Sequence, residues 1–166
     1  MKQISHEEFK PAPLKRSILL VCSPLQSPGS LGSLCRTAEA FGVEQLLIHQ
    51  SNIDFLKLPR FIKTSRHSFK NIHIDSYDNL ILLIEKLKEK DHLILGLEHC
   101  DQSNNLKSFR SQKKVAIIIG NEKSGIERSI LDKTDAVAHI EMYGKNSSMN
   151  VTQATAIALY HCANFM

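Results

Sequence analysis

The chain alternates short apolar runs with segments in which apolar residues recur at helical spacing. Six runs rich in branched residues predict short strands, at residues 17–22, 45–49, 71–74, 92–97, 115–119 and 136–140. The first, fourth and fifth runs are almost continuously apolar, which is typical of strands in a parallel sheet that is covered on both faces.

Four segments with helical periodicity lie between and after these strands. They cover residues 31–41, 79–90, 127–133 and 148–165. Gly42 is placed to end the first helix. The alternation of strands and helices predicts an α/β fold with a mostly parallel sheet and flanking helices.

The last predicted helix, residues 148–165, is apolar around most of its circumference. Ala154, Ala158 and Cys162 follow one stripe, and Ile157 extends the apolar surface beyond it. A helix of this kind requires burial on more than one side. Both a subunit interface and a central position in the core satisfy that requirement.

The composition is that of an ordinary globular protein, with 166 residues, 42% hydrophobic and 23% charged. We expect a short N-terminal extension over residues 1–16 and a single domain over residues 17–166. No apolar run approaches the ~18 residues of a membrane span, and residues 1–16 contain no apolar signal core. The four cysteines form no CxxC pair and lie in or beside apolar runs, so we expect buried free thiols and a cytoplasmic location.

The formal charge of +4 permits an RNA partner without establishing one. Five basic residues recur at three- or four-residue spacing: Lys57, Arg60, Lys63, Arg66 and Lys70. They are compatible with a stripe that binds RNA phosphates and equally with a solvated face. The eight histidines form no HExxH or HxH pattern, so no metal site is expected.

Three loops that follow predicted strands are rich in glycine, serine and asparagine, at residues 27–33, 120–126 and 140–151. In open α/β sheets, ligands bind beyond the carboxyl ends of the strands, so these loops are the candidate site. None contains the GxGxxG or GxxxxGK[ST] glycine pattern of nucleotide-binding loops.

Each loop contributes polar groups that have a functional and a structural interpretation. Arg36 follows the first loop, and its guanidinium suits two-point binding of a phosphate, or it is simply exposed. Asn121 and Glu122 either present an amide and a carboxylate to a ligand or belong to a solvated turn. Ser148 and Asn150 are both candidates to cap the final helix.

Taken together, three segments resemble the motifs of the SpoU/TrmH-type RNA 2′-O-ribose methyltransferases of the SPOUT superfamily. They are RTAEAFGV, IIIGNEKSGI and IEMYGKNSSMNVTQATAIALY, in this order, and the resemblance covers nearly the whole chain. It implies a C-terminal deep trefoil knot, a homodimer formed through the C-terminal helix region, and S-adenosylmethionine bound in the knot. Knots of this depth are exceptional among proteins.

The resemblance also implies a role for each matched residue. The catalytic residues would be Arg36, Glu122, Ser148 and Asn150. The cofactor would be held by Leu97, Gly120, Asn121, Ile140, Ser148 and Met149. Arg36 would contact RNA, and the five basic residues are candidates for the same contact from their spacing alone. The chain departs from the family at Ser30, where asparagine is usual, and at Glu141, where proline is usual.

The segments GLEHCDQSNNL and LCRTAEAFGV look like the catalytic domains of tRNA guanosine 2′-O-methyltransferases, so we expect tRNA as the substrate. Ribosomal RNA is the alternative substrate, and a catalytically silent RNA-binding member of the fold is the alternative function. A nucleotide-dependent oxidoreductase is disfavoured, because His49 and Gln50 stand where an acidic residue would follow the second strand.

Overall fold

The computed structural model describes residues 3, 5, 8–12, 16–110 and 114–165. The predicted extension at residues 1–16 lies partly outside the described residues, as do residues 111–113 and 166 of the predicted domain. In the described part of the chain the strands are β1 (Ile18–Cys22), β2 (Gln45–His49), β3 (His73–Tyr77), β4 (His92–Leu97), β5 (Asn104–Asn105), β6 (Lys114–Ile119) and β7 (Ala136–His139). The α-helices there are α1 (Pro28–Ala40), α2 (Pro59–Ser65), α3 (Leu80–Glu89), α4 (Arg128–Leu131) and α5 (Val151–Phe165).

The strands form one sheet in the order β3-β2-β1-β6-β4-β7-β5, and every pairing between these strands is parallel. This confirms the predicted α/β fold with a parallel sheet and flanking helices.

Helices cover both faces of the sheet. Successive residues of a strand point to opposite faces, so Ile18 and Leu20 join one core while Leu19 and Val21 join the other. The first core contains residues from α1, α2 and α5, and the second contains residues from α3 and α4. Burial on both faces is the reason that β1, β4 and β6 are apolar at nearly every position.

Helix α1 begins three residues before the predicted start. The Ser27 side chain caps the helix by accepting a hydrogen bond from the Ser30 backbone N–H at 3.4 Å. Pro28 occupies the first turn, where its missing N–H costs nothing. Most of the predicted first loop is therefore helical, and Gly42 follows the helix end as predicted.

The predicted position of the third strand was wrong. This strand covers His73–Tyr77 instead of residues 71–74, because a 3₁₀ turn at Ser68–Lys70 continues as a turn through residues 71–72. Strand β5 was missed, because its two residues are both asparagine and show no apolar pattern. Both strands lie at the edges of the sheet, where polar residues remain in contact with water. The remaining strands lie within one residue of their predicted ends.

The final helix begins at Val151, three residues later than predicted. Asn150 precedes it, and its side-chain oxygen accepts a hydrogen bond from the Thr152 backbone N–H at 2.9 Å. Of the candidate caps, Asn150 therefore takes this role.

The five basic residues do not lie on one helix. Lys57 ends a 3₁₀ helix that covers Gln50–Lys57, and Pro59 then begins α2. Arg66 follows α2 with a positive φ of 52°, and the helical path is therefore broken before Lys70. All five side chains are nevertheless exposed.

Three of the four cysteines are buried free thiols, as predicted, and Cys100 is only half-buried. Burial raises the pKa of Cys35 to about 12 and the pKa of Cys162 to about 12. Burial also raises the pKa of Cys22, and the nearby Glu122 carboxylate adds to this effect. No helix within the described ranges has the length and apolar character needed to cross a bilayer.

The backbone of α2 lies directly against Gly32 of α1, where no side chain intervenes. A Cβ atom added to Gly32 would lie 2.7 Å from the Phe61 carbonyl oxygen and 2.9 Å from the Ser65 backbone nitrogen, and it would also clash with the Thr64 hydroxyl. Since two of these atoms belong to the backbone, they have little freedom to move away. This contact sets the position of α1, which carries Arg36.

We predict that Gly32→Ala destabilises the protein by about 1–3 kcal/mol, the usual cost of overpacking a core. The free energy of unfolding in urea is the measurement. Gly144→Ala is the matched control, since a Cβ there meets no atom within 4 Å. Equal unfolding free energies for the two variants would contradict the close packing of α1 on α2.

Candidate functional site

Four strands that lie side by side, β1, β6, β4 and β7, end at the same edge of the sheet. Because they are parallel, the loops that follow them also meet there. These loops cover residues 23–27, 120–127, 98–103 and 140–150. The carboxyl edge of such a sheet is where ligands bind in open α/β folds.

A cavity of about 970 Å³ lies at this edge. Its lining includes all six residues predicted to hold the cofactor: Leu97, Gly120, Asn121, Ile140, Ser148 and Met149. It also includes three of the four predicted catalytic residues: Glu122, Ser148 and Asn150. Its volume falls in the range of about 300–1,000 Å³ that is usual for small-molecule sites.

Arg36, the fourth predicted catalytic residue, does not line the cavity. It lies on α1, off the stripe formed by Leu34, Cys35 and Ala38 as predicted, and its side chain is exposed. Among the residues that the structure describes, none forms a hydrogen bond or ion pair with its guanidinium. The group is therefore available to bind an anion from solution. The five basic residues are also absent from the lining.

The loop of residues 120–127, which follows β6, is hydrogen-bonded to the loop of residues 23–27, which leads into α1. The Asn121 side-chain amide donates a hydrogen bond to the Pro24 carbonyl oxygen. The Glu122 carboxylate accepts one from the Gln26 backbone N–H at 3.2 Å. Asn121 and Glu122 therefore fix the segment that leads into the helix carrying Arg36. They are not simply part of a solvated turn.

Residues 121–125 form a tight turn. The backbone N–H of Asn121 donates to the Gly125 carbonyl at 3.0 Å, and the Gly125 N–H donates back to Asn121 at 2.9 Å. The Asn121 side-chain oxygen also accepts from the Lys123 N–H at 2.8 Å. Asn121 thus closes the turn with its backbone and contacts the neighbouring loop with its side chain.

Asn52 holds the loop of residues 23–27, which leads into α1. No pattern in the sequence predicts this role for Asn52. Its side chain is 2% exposed and belongs to the 3₁₀ helix after β2. Its oxygen accepts from the Leu25 N–H at 2.8 Å, and its amide donates to the Leu25 carbonyl at 2.9 Å. A single buried side chain therefore satisfies both backbone polar groups of Leu25.

Glu141, one of the two departures from the family pattern, has a structural explanation. Its carboxylate accepts a hydrogen bond from the Asn105 side chain at 3.2 Å and lies 4.0 Å from Nε2 of His139. The other ring nitrogen of His139 lies 2.9 Å from the Ser103 hydroxyl, and the ring stacks on His99 at 4.8 Å between centroids. These contacts join the loop after β4 to the segment after β7.

The cavity combines apolar walls with an excess of acidic groups. Glu98, Asp101 and Glu122 contribute carboxylates to the lining, whereas Lys123 is its one lysine or arginine among the described residues. A site of this composition suits a ligand with an apolar body and a positive charge. Within the described ranges, no three His, Cys, Asp or Glu side chains cluster closely enough to hold a metal ion.

Comparisons with known proteins agree with this architecture. The model of the SpoU rRNA methylase family matches residues 17–160. A Bacillus subtilis protein, the 23S rRNA (guanosine(2553)-2′-O)-methyltransferase RlmP, is 28% identical over 146 residues, which cover 88% of this chain and 57% of that protein. The chain therefore spans less than two thirds of the length of this relative.

Two solved structures share the fold. The A. aeolicus TrmH/SpoU tRNA modifying enzyme has a TM-score of 0.79 at 24% identity, over 88% of this chain and 73% of that chain. The SpoU methyltransferase AviRb from Streptomyces viridochromogenes, in complex with AdoMet, has a TM-score of 0.78 at 21% identity, over 96% of this chain and 64% of that chain.

We predict that Asn52→Ala destabilises the protein by about 2–4 kcal/mol, since it leaves two buried backbone groups of Leu25 without partners. Urea unfolding measures the loss. Asn71→Ala is the control, because Asn71 is exposed and is expected to change stability by less than about 0.5 kcal/mol. An Asn52 variant as stable as the control would show that this side chain does not hold the loop.

Proposed function

The chain belongs to the SpoU rRNA methylase family, and from that membership we propose that it is an S-adenosylmethionine-dependent enzyme that methylates a ribose 2′-hydroxyl of RNA. The observation that carries the proposal is the convergence of all six predicted cofactor residues on one cavity. These residues come from the end of β4 and from the two loops that follow β6 and β7, and chance assembly of the complete set in one cavity is improbable.

The residues of the cavity fit this cofactor. Leu97, Ile140 and Met149 offer apolar surface to an adenosine group, and the carboxylates suit the positive charges of a sulfonium and an ammonium group. When bound, S-adenosylmethionine supplies a methyl group on a positively charged sulfur. The Streptomyces protein of the same fold was crystallised with this molecule.

Arg36 is proposed to bind an RNA phosphate and to stabilise negative charge on the attacking ribose oxygen. A guanidinium stays protonated in proteins, so Arg36 is not the base, and the hydroxyl proton passes to phosphate or solvent. Glu122 supports Arg36 indirectly, through its hydrogen bond to Gln26 in the loop before α1.

Ser148 and Asn150 are proposed to orient the ribose at the rim of the cavity. Both residues line the cavity and are exposed. Asn150 uses its side-chain oxygen to cap α5, so its amide nitrogen is the group left to contact the substrate. The Ser148 hydroxyl has both donor and acceptor capacity.

The proposed substrate is tRNA, bound partly by the exposed basic side chains of residues 57–70. Support comes from the resemblance of GLEHCDQSNNL to tRNA guanosine 2′-O-methyltransferases, and the A. aeolicus enzyme of the same fold is described as modifying tRNA. The Bacillus relative is named for an rRNA nucleotide. The two RNA classes must therefore be tested side by side.

We also propose that the C-terminal region forms a trefoil knot and a homodimer. In support of the knot, β4 lies between β6 and β7, and α5 packs back against α1. In support of the dimer, α5 exposes Ile157 and Tyr160 while Ala158 and Leu159 are buried beneath them. An exposed apolar helix face of this kind is typical of an interface.

We predict that the purified protein transfers labelled methyl from S-adenosylmethionine to tRNA, and that the modified ribose resists alkaline cleavage. Arg36→Lys should lower kcat/KM at least about 100-fold, because a point charge does not replace the two-point guanidinium contact. Lys86→Ala, on the opposite face of the sheet, serves as the control with unchanged activity.

Three results would change this proposal in different ways. Label found only in rRNA would overturn tRNA as the substrate and retain the chemistry. Normal turnover by Arg36→Lys would remove Arg36 from catalysis. A protein that binds the cofactor and RNA but labels neither RNA would be a catalytically silent RNA binder.

We predict that the protein sediments as a dimer of the 18.7 kDa chain, and that Tyr160→Glu weakens the dimer at least tenfold. Leu82→Glu is the matched control, since Leu82 on α3 and Tyr160 on α5 are both 54% exposed. Sedimentation equilibrium measures both variants. A wild-type monomer at micromolar concentration, or equal weakening by both variants, would contradict the interface on α5.

A further inference from the structure

We propose that Glu98 is a positioning residue that holds the turn of residues 121–126 in place and thereby shapes the wall of the cofactor cavity. Glu98 directly follows β4, whereas the turn follows the neighbouring strand β6. The inference rests on the proposed function, because the cavity is taken to bind S-adenosylmethionine.

Both carboxylate oxygens of Glu98 accept hydrogen bonds from backbone groups. Oε2 accepts from the Ile126 N–H at 2.8 Å, and Oε1 accepts from the His99 N–H at 2.9 Å. Ile126 is 6% exposed, so water has little access to its N–H as an alternative partner. Glu98 is therefore the partner that satisfies the buried end of the turn.

The turn is shaped to receive this carboxylate. Gly125 has a φ of 67°, a conformation that favours glycine. A Cβ atom at Gly125 would lie 3.1 Å from Cδ of Glu98 and would clash with Oε2. The absence of a side chain at Gly125 thus permits the carboxylate to lie directly against the backbone of the turn.

Glu98 and the two motif residues hold opposite ends of the same turn. At the amino end, Asn121 contacts Pro24 and Glu122 contacts Gln26. At the carboxyl end, Glu98 contacts Ile126. Without Glu98 the carboxyl end of the turn would keep its backbone bonds to Asn121 but lose its anchor to β4. We expect the looser turn to weaken the contact of Glu122 with Gln26.

The backbone of Glu98 is itself fixed. Its N–H donates to the Ala138 carbonyl oxygen at 3.0 Å, which continues the pairing between β4 and β7. The side chain therefore extends from a rigid point of the sheet. A glutamine at this position would retain one acceptor oxygen in place of two, and an alanine would retain none.

The test compares Glu98→Ala and Glu98→Gln with a matched control, Asp135→Ala. The Asp135 carboxylate also accepts a backbone hydrogen bond at 2.8 Å, from the Ile94 N–H. Asp135 comes directly before β7, at the amino edge of the sheet and away from the cavity. Removal of either carboxylate should lower the stability of the protein. Only removal of the Glu98 carboxylate should weaken cofactor binding in the cavity.

The first readout is the Kd for S-adenosylmethionine by calorimetry. We expect Glu98→Ala to raise the Kd about 10- to 100-fold, Glu98→Gln to give an intermediate value, and Asp135→Ala to leave it unchanged. The second readout is hydrogen exchange of the Ile126 and Gln26 amides. Both should exchange at least about tenfold faster in Glu98→Ala and at the wild-type rate in Asp135→Ala.

The outcomes separate this inference from the proposed function. If Glu98→Ala and Asp135→Ala lose stability alike, and Glu98→Ala keeps the wild-type Kd and the wild-type exchange rate at Gln26, Glu98 is merely structural and the inference is overturned. If the wild-type protein binds no S-adenosylmethionine, the proposed function fails. In that case the exchange rates of Ile126 and Gln26 still decide whether Glu98 holds the turn.

Discussion

The parallel register of the four central strands is the constraint on which the rest of the structure depends. It aligns Cys22 with Ile119, Ile119 with Leu97, and Leu97 with Ala138, so the strands end almost side by side. A shift of one residue would turn every buried side chain of a strand to the opposite face. The two faces pack against different helices, so their side chains are not interchangeable and the packing fixes the register. The register in turn brings three separate loops to one cavity.

Loops that follow the strands have backbone donors and acceptors outside the hydrogen bonding between paired strands. When these groups are buried they need other hydrogen-bond partners. Here polar side chains from neighbouring loops provide them. Asn52 satisfies Leu25, Glu122 contacts Gln26, and Glu98 contacts Ile126. Because each bond joins segments that are distant in sequence, the same contacts that satisfy the backbone also position the site.

The departures from the family pattern are compatible with this arrangement. Glu141 stands where the resemblance leads us to expect proline, and its carboxylate joins Asn105 of β5 to the segment after β7. Ser30 stands where we expect asparagine, at a position inside α1, and its backbone N–H donates to the Ser27 cap. The cavity contains every residue that the resemblance assigns to the cofactor.

Sequence alone determined the fold class and most of the cavity. Apolar runs predicted the central strands because burial on both faces leaves a local pattern. The family resemblance pointed to residues that line the cavity from Leu97 to Met149, because these residues end or follow strands. Tertiary structure alone decided the positions of β5, Asn52 and Glu98. Asn52 and Glu98 meet partners 27 or 28 residues away. Such contacts exist only once the sheet register has formed, so no local pattern marks them. The positive φ at Arg66, which breaks the helical path of the basic segment, is likewise not marked by any local pattern.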